Sequence, residues 1–227
     1  MIFNNSGKSL NNYSFRYGMN KLENAKSYRY LGLTLCPYGN FTLARQELKK
    51  ASPKALFKLR KEMGNHFSEN IKITIKLFDA LISPILINGS EVWGSEVWGI
   101  DCNGKLDTDP EELFQNKFLK WLLGVNKYCN NNACRAETGR FPLRIKAQCR
   151  TFKFWLTLAK HKENNCYKLV AYNDIKRIKD KVFWSQKIKN FLYHIRLGNL
   201  WEKAHFSDVG ILSIIRQRLE ELNYKGG

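Results

Sequence analysis

The alternation of polar and apolar positions changes rhythm once along the chain, near residue 39. Before it, Met1-Ile2-Phe3, Tyr13-Ser14-Phe15-Arg16-Tyr17 and Tyr28-Arg29-Tyr30-Leu31-Gly32-Leu33-Thr34-Leu35 are short aromatic-rich runs separated by Asn, Gly and Ser. Runs of this kind between turn-forming residues predict a small antiparallel β-hairpin or meander. Cys36-Pro37-Tyr38-Gly39 ends that region. After it, apolar residues recur at three and four, the period of a helix.

Leu48, Ala51, Ala55, Leu56, Leu59 and Met63 gather on one side of a helical projection, with Lys50, Lys54, Lys58 and Lys61 opposite. Ser52-Pro53 interrupts this stretch and reads as the start of a second helix or as a kink. Leu77/Phe78, Leu81/Ile82 and Ile85/Leu86 predict a deeply buried helix bent at Pro84. Asp109-Pro110-Glu111-Glu112 predicts a third start, with Asp109 as N-cap, Pro110 in the first turn and Glu112 closing a capping box. Phe114, Phe118, Trp121, Leu122 and Val125 would then face inward, and Lys117 and Lys120 outward. Beyond a break at Gly139 to Pro142, a fourth helix is expected from about Leu143 to His161. Its apolar side is Ile145, Cys149, Phe152, Leu156 and Ala159, and its basic side Lys146, Arg150, Lys153 and Lys160.

From Tyr167 to Leu222 further amphipathic helices are expected, whose Trp184, Phe191, Trp201 and Phe206 need a core. The fold class is therefore mainly α, a helical body preceded by a small antiparallel hairpin. Phe78, Leu81, Ile82, Ile85, Trp121 and Phe152 are the expected core.

Composition narrows the function classes. With 227 residues and 44% hydrophobic side chains the chain can bury a core, which excludes disorder and a disulfide-stapled miniprotein. Its 38 Lys and Arg against 20 Asp and Glu leave +18, a self-repelling charge that a polyanion would neutralise. Nucleic acid is the expected partner, with an anionic membrane surface second. The six cysteines show no repeated spacing and the N-terminus shows no leader pattern, so reduced thiols in an intracellular protein, nuclear or cytoplasmic, are expected. Ile71 to Ile87 carries Lys72, Lys76 and Asp79, which argues against a membrane span.

Candidate chemistry is sparse. Gly7-Lys8-Ser9 lacks the earlier glycine of a phosphate-binding loop, where Ile2 stands. Asp107-Thr108-Asp109 is better explained by helix capping than by metal binding. Cys129 and Cys134, even joined by Cys102 or His161, lack a second closely spaced ligand pair for zinc. His66, His161, His194 and His205 have no nucleophile beside them. No catalytic residue, metal ligand or cofactor site is expected. The basic faces remain, Lys50, Lys54, Lys58 and Lys61 first, then Lys146, Arg150 and Lys153, and charge alone predicts phosphate contact without base reading.

The order of several motifs adds a resemblance. Tyr30-Leu31-Gly32, the Ala/Leu/Lys helix, Leu81-Ile82-Ser83-Pro84-Ile85-Leu86 leading into Gly89-Ser90-Glu91-Val92-Trp93-Gly94, Phe118 to Val125, and Glu137 to Leu143 follow one another. With Gly198-Asn199-Leu200-Trp201 and Arg216-Gln217-Arg218-Leu219 further on, the series resembles the C-terminal part of LINE-type, non-LTR retrotransposon reverse transcriptases. The resemblance implies three segments: residues 1–38 as the end of a palm, 39–163 as a helical thumb that holds a template-primer RNA/DNA duplex, and 164–227 as a helical C-terminal extension. Tyr30, Leu31 and Gly32 would match the primer-grip hairpin. It also implies that the fingers and the rest of the palm, with the carboxylates that bind Mg2+ in the parent enzyme, lie outside this chain, which holds no adjacent Asp pair. The missing portion would then be a further partner. Ser90 to Gly94 is repeated as Ser95 to Gly99, Asn88 stands where the family has Tyr, and Pro53 falls inside a thumb helix; in these points the chain departs from the family. A basic helical scaffold or adaptor that binds a protein is the alternative.

Overall fold

The computed structural model describes residues 14–23, 25–37, 41–64, 69–97, 109–160, 170, 172–173, 184–202 and 210–225. The fold is mainly α, with two small antiparallel strand pairs first and helices after them. It divides into two compact units, residues 1–88 and 89–227. The division falls inside the 39–163 segment.

In the first unit, β1 (Arg16–Tyr17) pairs with β2 (Asn20–Lys21), and β3 (Tyr28–Tyr30) pairs with β4 (Leu33–Leu35). These are two separate hairpins. The Tyr28 to Leu35 run is folded back on itself at Leu31-Gly32, with Tyr30 opposite Leu33.

Next comes α1 (Thr42–Met63), which continues through Pro53 without a break. Pro53 lies on the exposed side, where water can take up the carbonyl that its missing N–H leaves unpaired. One turn inward, the Ser52 hydroxyl donates to the Leu48 carbonyl at 2.9 Å. Ala44, Leu48 and Ser52 form the buried line of the helix, whereas Ala51, expected inside, is exposed. Ala55, Leu56, Leu59 and Met63 are half-buried.

The apolar segment that follows is α2 (Ile71–Leu77), a π-helical turn (Phe78–Ile82) and α3 (Ser83–Leu86). Proline is the cause of the π turn. In an α-helix the Pro84 ring would meet the Ala80 carbonyl; here the Ser83 N–H reaches back five residues to the Phe78 carbonyl, and the wider turn makes room.

The π turn also resets the buried face. Thr74, Phe78, Ile82 and Leu86 are buried at intervals of four, a spacing that drifts about 40° per step in a pure α-helix. Leu81, expected in the core, is turned outward and 50% exposed, and Ile85 is only half-buried.

The second unit is built around α7 (Leu143–Lys160). Against it pack α4 (Ser90–Val97), α5 (Pro110–Leu122) and α10 (Ile211–Lys225). The remaining elements are α6 (Asn131–Glu137), α8 (Trp184–His194) and α9 (Asn199–Glu202). Helix α7 is buried far beyond its expected apolar side, with Ala147, Thr151, Trp155 and Leu158 inside as well.

Trp155 stacks on Trp201 at 5.8 Å between ring centroids. Around them gather Phe152, Leu156, Ile188, Phe191, Leu192 and Ile215, so the helices after residue 184 share the core of α7. The small Gly94 lets α4 approach α7, since a Cβ there would stand 3.0 Å from the Thr151 hydroxyl, which itself donates to the Ser90 carbonyl at 2.8 Å. Trp93 is fully buried.

Helix α5 corrects the expected faces. Asp109 and Pro110 do sit at the N-cap and first helical positions, but the Asp109 side chain makes no cap hydrogen bond. Glu112 closes no capping box. It is buried with Glu111, Gln115, Asn116, Phe118, Leu119 and Leu122, while Trp121 and Val125 are exposed. Four polar residues on the inner side misplace any face read from hydrophobicity alone.

Candidate nucleic-acid interface

The exposed side of α1 carries Lys50, Lys54, Lys58 and Lys61 on successive turns. No acid occurs between Glu47 and Glu62. Among the described residues none of the four is in an ion pair. From Lys50 to Lys61 the stripe extends about 16 Å, a length along which a duplex presents roughly ten phosphate charges.

The β3–β4 hairpin packs on this helix. Thr34 is buried, and its hydroxyl donates to the Glu47 carboxylate at 2.7 Å. Period-two alternation then places Tyr28 and Tyr30 on the other face, where both are more than half exposed.

At the tip, Leu31 (φ 47) and Gly32 (φ 83) are both left-handed, as a two-residue type I′ turn requires. Gly32 meets a second constraint, because a Cβ there would come 3.2 Å from the Asn88 amide nitrogen. Leu31 has neither glycine's freedom nor a polar side chain that favours this region, yet it stands 80% exposed at the tip. Tyr30, Leu31 and Gly32 thus form one protruding turn.

The second basic set differs. Lys146 and Lys153 are exposed on α7, but Arg150 is half-buried and its guanidinium lies 3.7 Å from the Glu91 carboxylate. At least part of that face is therefore already neutralised. The two sets belong to different compact units.

A third group was not foreseen. Glu112 in α5 accepts from Arg135 Nη2 at 3.2 Å and from the Arg144 backbone N–H at 2.8 Å. It therefore caps the start of α7 from a distance in sequence while pairing with a buried arginine. Burial pushes its carboxyl up from 4.5 to about 7, against the opposing pull of Arg135 and the two backbone N–H groups of Arg144 and Leu143. The group is enclosed on every side and has a structural role. Glutamate at this position reads as an ordinary first-turn residue, so the sequence carries no mark of the pair.

Cys36, Cys129, Cys134 and Cys149 are free thiols. Burial raises the pKa of Cys134, reinforced by a hydrogen bond with Cys129, and pushes Cys149 up to about 11. Among the described residues no three His, Cys, Asp or Glu side chains converge as metal ligands. Among them, too, no helix is long and apolar enough to cross a membrane. Gly7-Lys8-Ser9, Cys102, Asp107, Thr108, His66, His161, His205, Phe206 and the second Trp-Gly of the repeated segment lie outside the described residues.

Compared with known protein families, curated proteins and solved structures, the chain matches none of them.

Proposed function

We propose that this chain is a nucleic-acid-binding fragment of the reverse-transcriptase type, holding a template-primer RNA/DNA duplex without reading its sequence and lacking the catalytic palm. The carrying observation is the α1 stripe, four exposed lysines on one side of a 22-residue helix with no acid among them, in a chain of net charge +18. Lysine heads on a helix meet phosphates as point charges, which gives affinity without sequence preference. An A-like hybrid presents a wide, shallow groove whose shape and ribose hydroxyls are what such a surface can meet. The protruding Tyr30-Leu31-Gly32 turn and the motif order given above support the same reading.

The experiment is a salt titration of binding to an RNA/DNA hybrid. Each phosphate neutralised contributes about 0.7 to 0.9 to the slope of log affinity against log salt, so changing Lys50, Lys54, Lys58 and Lys61 to Gln should flatten it by roughly 3. Changing Lys146, Arg150 and Lys153 to Gln should do less, since Arg150 already has Glu91. If neither set alters the slope, the reading is wrong. The adaptor reading is favoured by one observation, the exposure of Phe15, Tyr17, Met19 and Leu22 around the β1–β2 hairpin, an apolar surface suited to a protein partner.

A further inference from the structure

Phe57 stands among the lysines of α1 and is 71% exposed, more than any other phenylalanine of the described residues. In helical projection it lies about 20° from Lys50, 40° from Lys61 and 60° from Lys54, and nowhere near the buried line of Ala44, Leu48 and Ser52. Lys54 three residues before it and Lys61 four residues after it are its neighbours on the helix surface, with Cβ atoms about 5 to 6 Å away. A flat apolar ring is thus held in water, flanked by cations. The core explains none of this, because the ring faces away from it.

We propose that Phe57 stacks on an unpaired nucleobase, so that this surface takes nucleic acid at a junction between duplex and single strand in preference to a blunt duplex. The inference rests on the nucleic-acid reading of the stripe. Its logic is one of available surface. Within a duplex the flat faces of the bases are closed by their neighbours, and only phosphates, sugars and polar base edges face outward. A phenyl ring has no hydrogen-bonding group to meet those edges. Unpaired bases expose the flat face that a ring can cover, and every base has one, so stacking keeps the sequence indifference that the lysines impose. Charge decides between this occupant and a protein, since the cations surrounding the ring suit a polyanion along the whole stripe.

The test compares two probes on the full chain, a blunt RNA/DNA hybrid hairpin and the same hairpin with a short single-stranded extension carrying 2-aminopurine. Phe57→Ala should weaken binding of the extended probe by roughly 5- to 100-fold, the range of one lost stacking contact, and leave the blunt probe unchanged. The salt slope should not move, as no charge is removed. Phe57→Trp should retain affinity and the quenching of 2-aminopurine fluorescence that stacking causes, whereas Phe57→Leu, apolar but not flat, should lose both.

Equal effects of Phe57→Ala on the two probes, or none on either, would overturn the proposal, the second outcome pointing to a protein on this face. Full binding and quenching by Phe57→Leu would do so as well. The lysine variants separate the two levels of argument. If they flatten the slope while Phe57→Ala changes nothing, only the stacking inference falls; if they do not, the nucleic-acid reading falls with it.

Discussion

Replacing Arg135 with leucine strands the Glu112 carboxylate inside the second unit, and the cost should depend on pH. Both side chains are buried, 4% and 0% exposed, with 3.2 Å between Nη2 and Oε2. Removing one member of a buried pair costs about 3 to 5 kcal/mol, because the remaining charge has lost its compensation. The lower end applies here, since Glu112 keeps the backbone N–H groups of Leu143 and Arg144. The sign of the pH effect follows from the raised carboxyl. A group that titrates at about 7 when folded and 4.5 when unfolded binds a proton more tightly in the native state. Its stabilising contribution is present at low pH and lost as pH rises through that window, by about 3 kcal/mol in all.

At pH 5 the folded carboxyl is protonated with or without Arg135, so the substitution should cost much less than at high pH. At pH 8 the parent buries a paired carboxylate while the variant must bury a bare one or take up a proton, and about 3 kcal/mol should be lost. Urea unfolding followed by tryptophan fluorescence measures this. All six tryptophans lie at or beyond Trp93, so the signal reports the second unit alone. With a urea dependence of about 2 kcal/mol per M, the midpoint should fall by roughly 1.5 M at pH 8 and by much less at pH 5. Glu112→Gln should abolish the pH dependence of the difference. A loss that is the same at both pH values, or larger at pH 5, would refute the assignment of Glu112 as the titrating buried group.

Two further outcomes are expected. Ile82→Asp, at a fully buried position, should unfold the first unit as seen by far-UV circular dichroism, whereas Leu81→Asp, half exposed beside it, should cost under about 1 kcal/mol; the reverse order would show that the π turn does not set the buried face. The purified chain with Mg2+ should not extend a primer on a template, since no adjacent Asp pair occurs in it; extension abolished by EDTA would contradict that.

Helical periodicity was readable wherever a helix obeys its own geometry and buries apolar residues. The α1 faces are the clear case, with the lysines outside and Leu48 inside as the spacing requires. Pro53 misled because proline is scored as a breaker, yet on a solvent-facing turn the missing hydrogen bond can be replaced by water. Leu81 misled for another reason. Of the pairs at intervals of four, Leu77/Phe78, Leu81/Ile82 and Ile85/Leu86, the π turn ahead of Pro84 keeps the second member of each buried and leaves the first nearer to solvent. Trp121 and Glu112 are two sides of one error, the assumption that the inner side of α5 is the apolar one. There the inner side carries a carboxylate that caps a different helix and pairs with Arg135, a purpose visible only when residues 23 and 32 positions apart are brought together.

The candidate site shows the opposite balance. Lysines reveal themselves by spacing because their exposed side is the default, and the hairpin tip reveals itself by a glycine at the position where positive φ is needed. Phe57 does not, since an aromatic residue in a helical run is ordinarily counted toward the core. Its exposure becomes informative only after Ala44, Leu48 and Ser52 define which side of α1 is buried, because the ring then lies with the cations and away from every core partner. The same reasoning separates the two basic sets. Lys146, Arg150 and Lys153 obey the same spacing as the α1 lysines, but Glu91, brought in by the packing of α4 on α7, already answers Arg150. A stripe of charge in sequence therefore measures only how much cation is present. How much of it is left for a polyanion depends on which acids the fold carries to it, and among the described residues none is brought into an ion pair with the four α1 lysines.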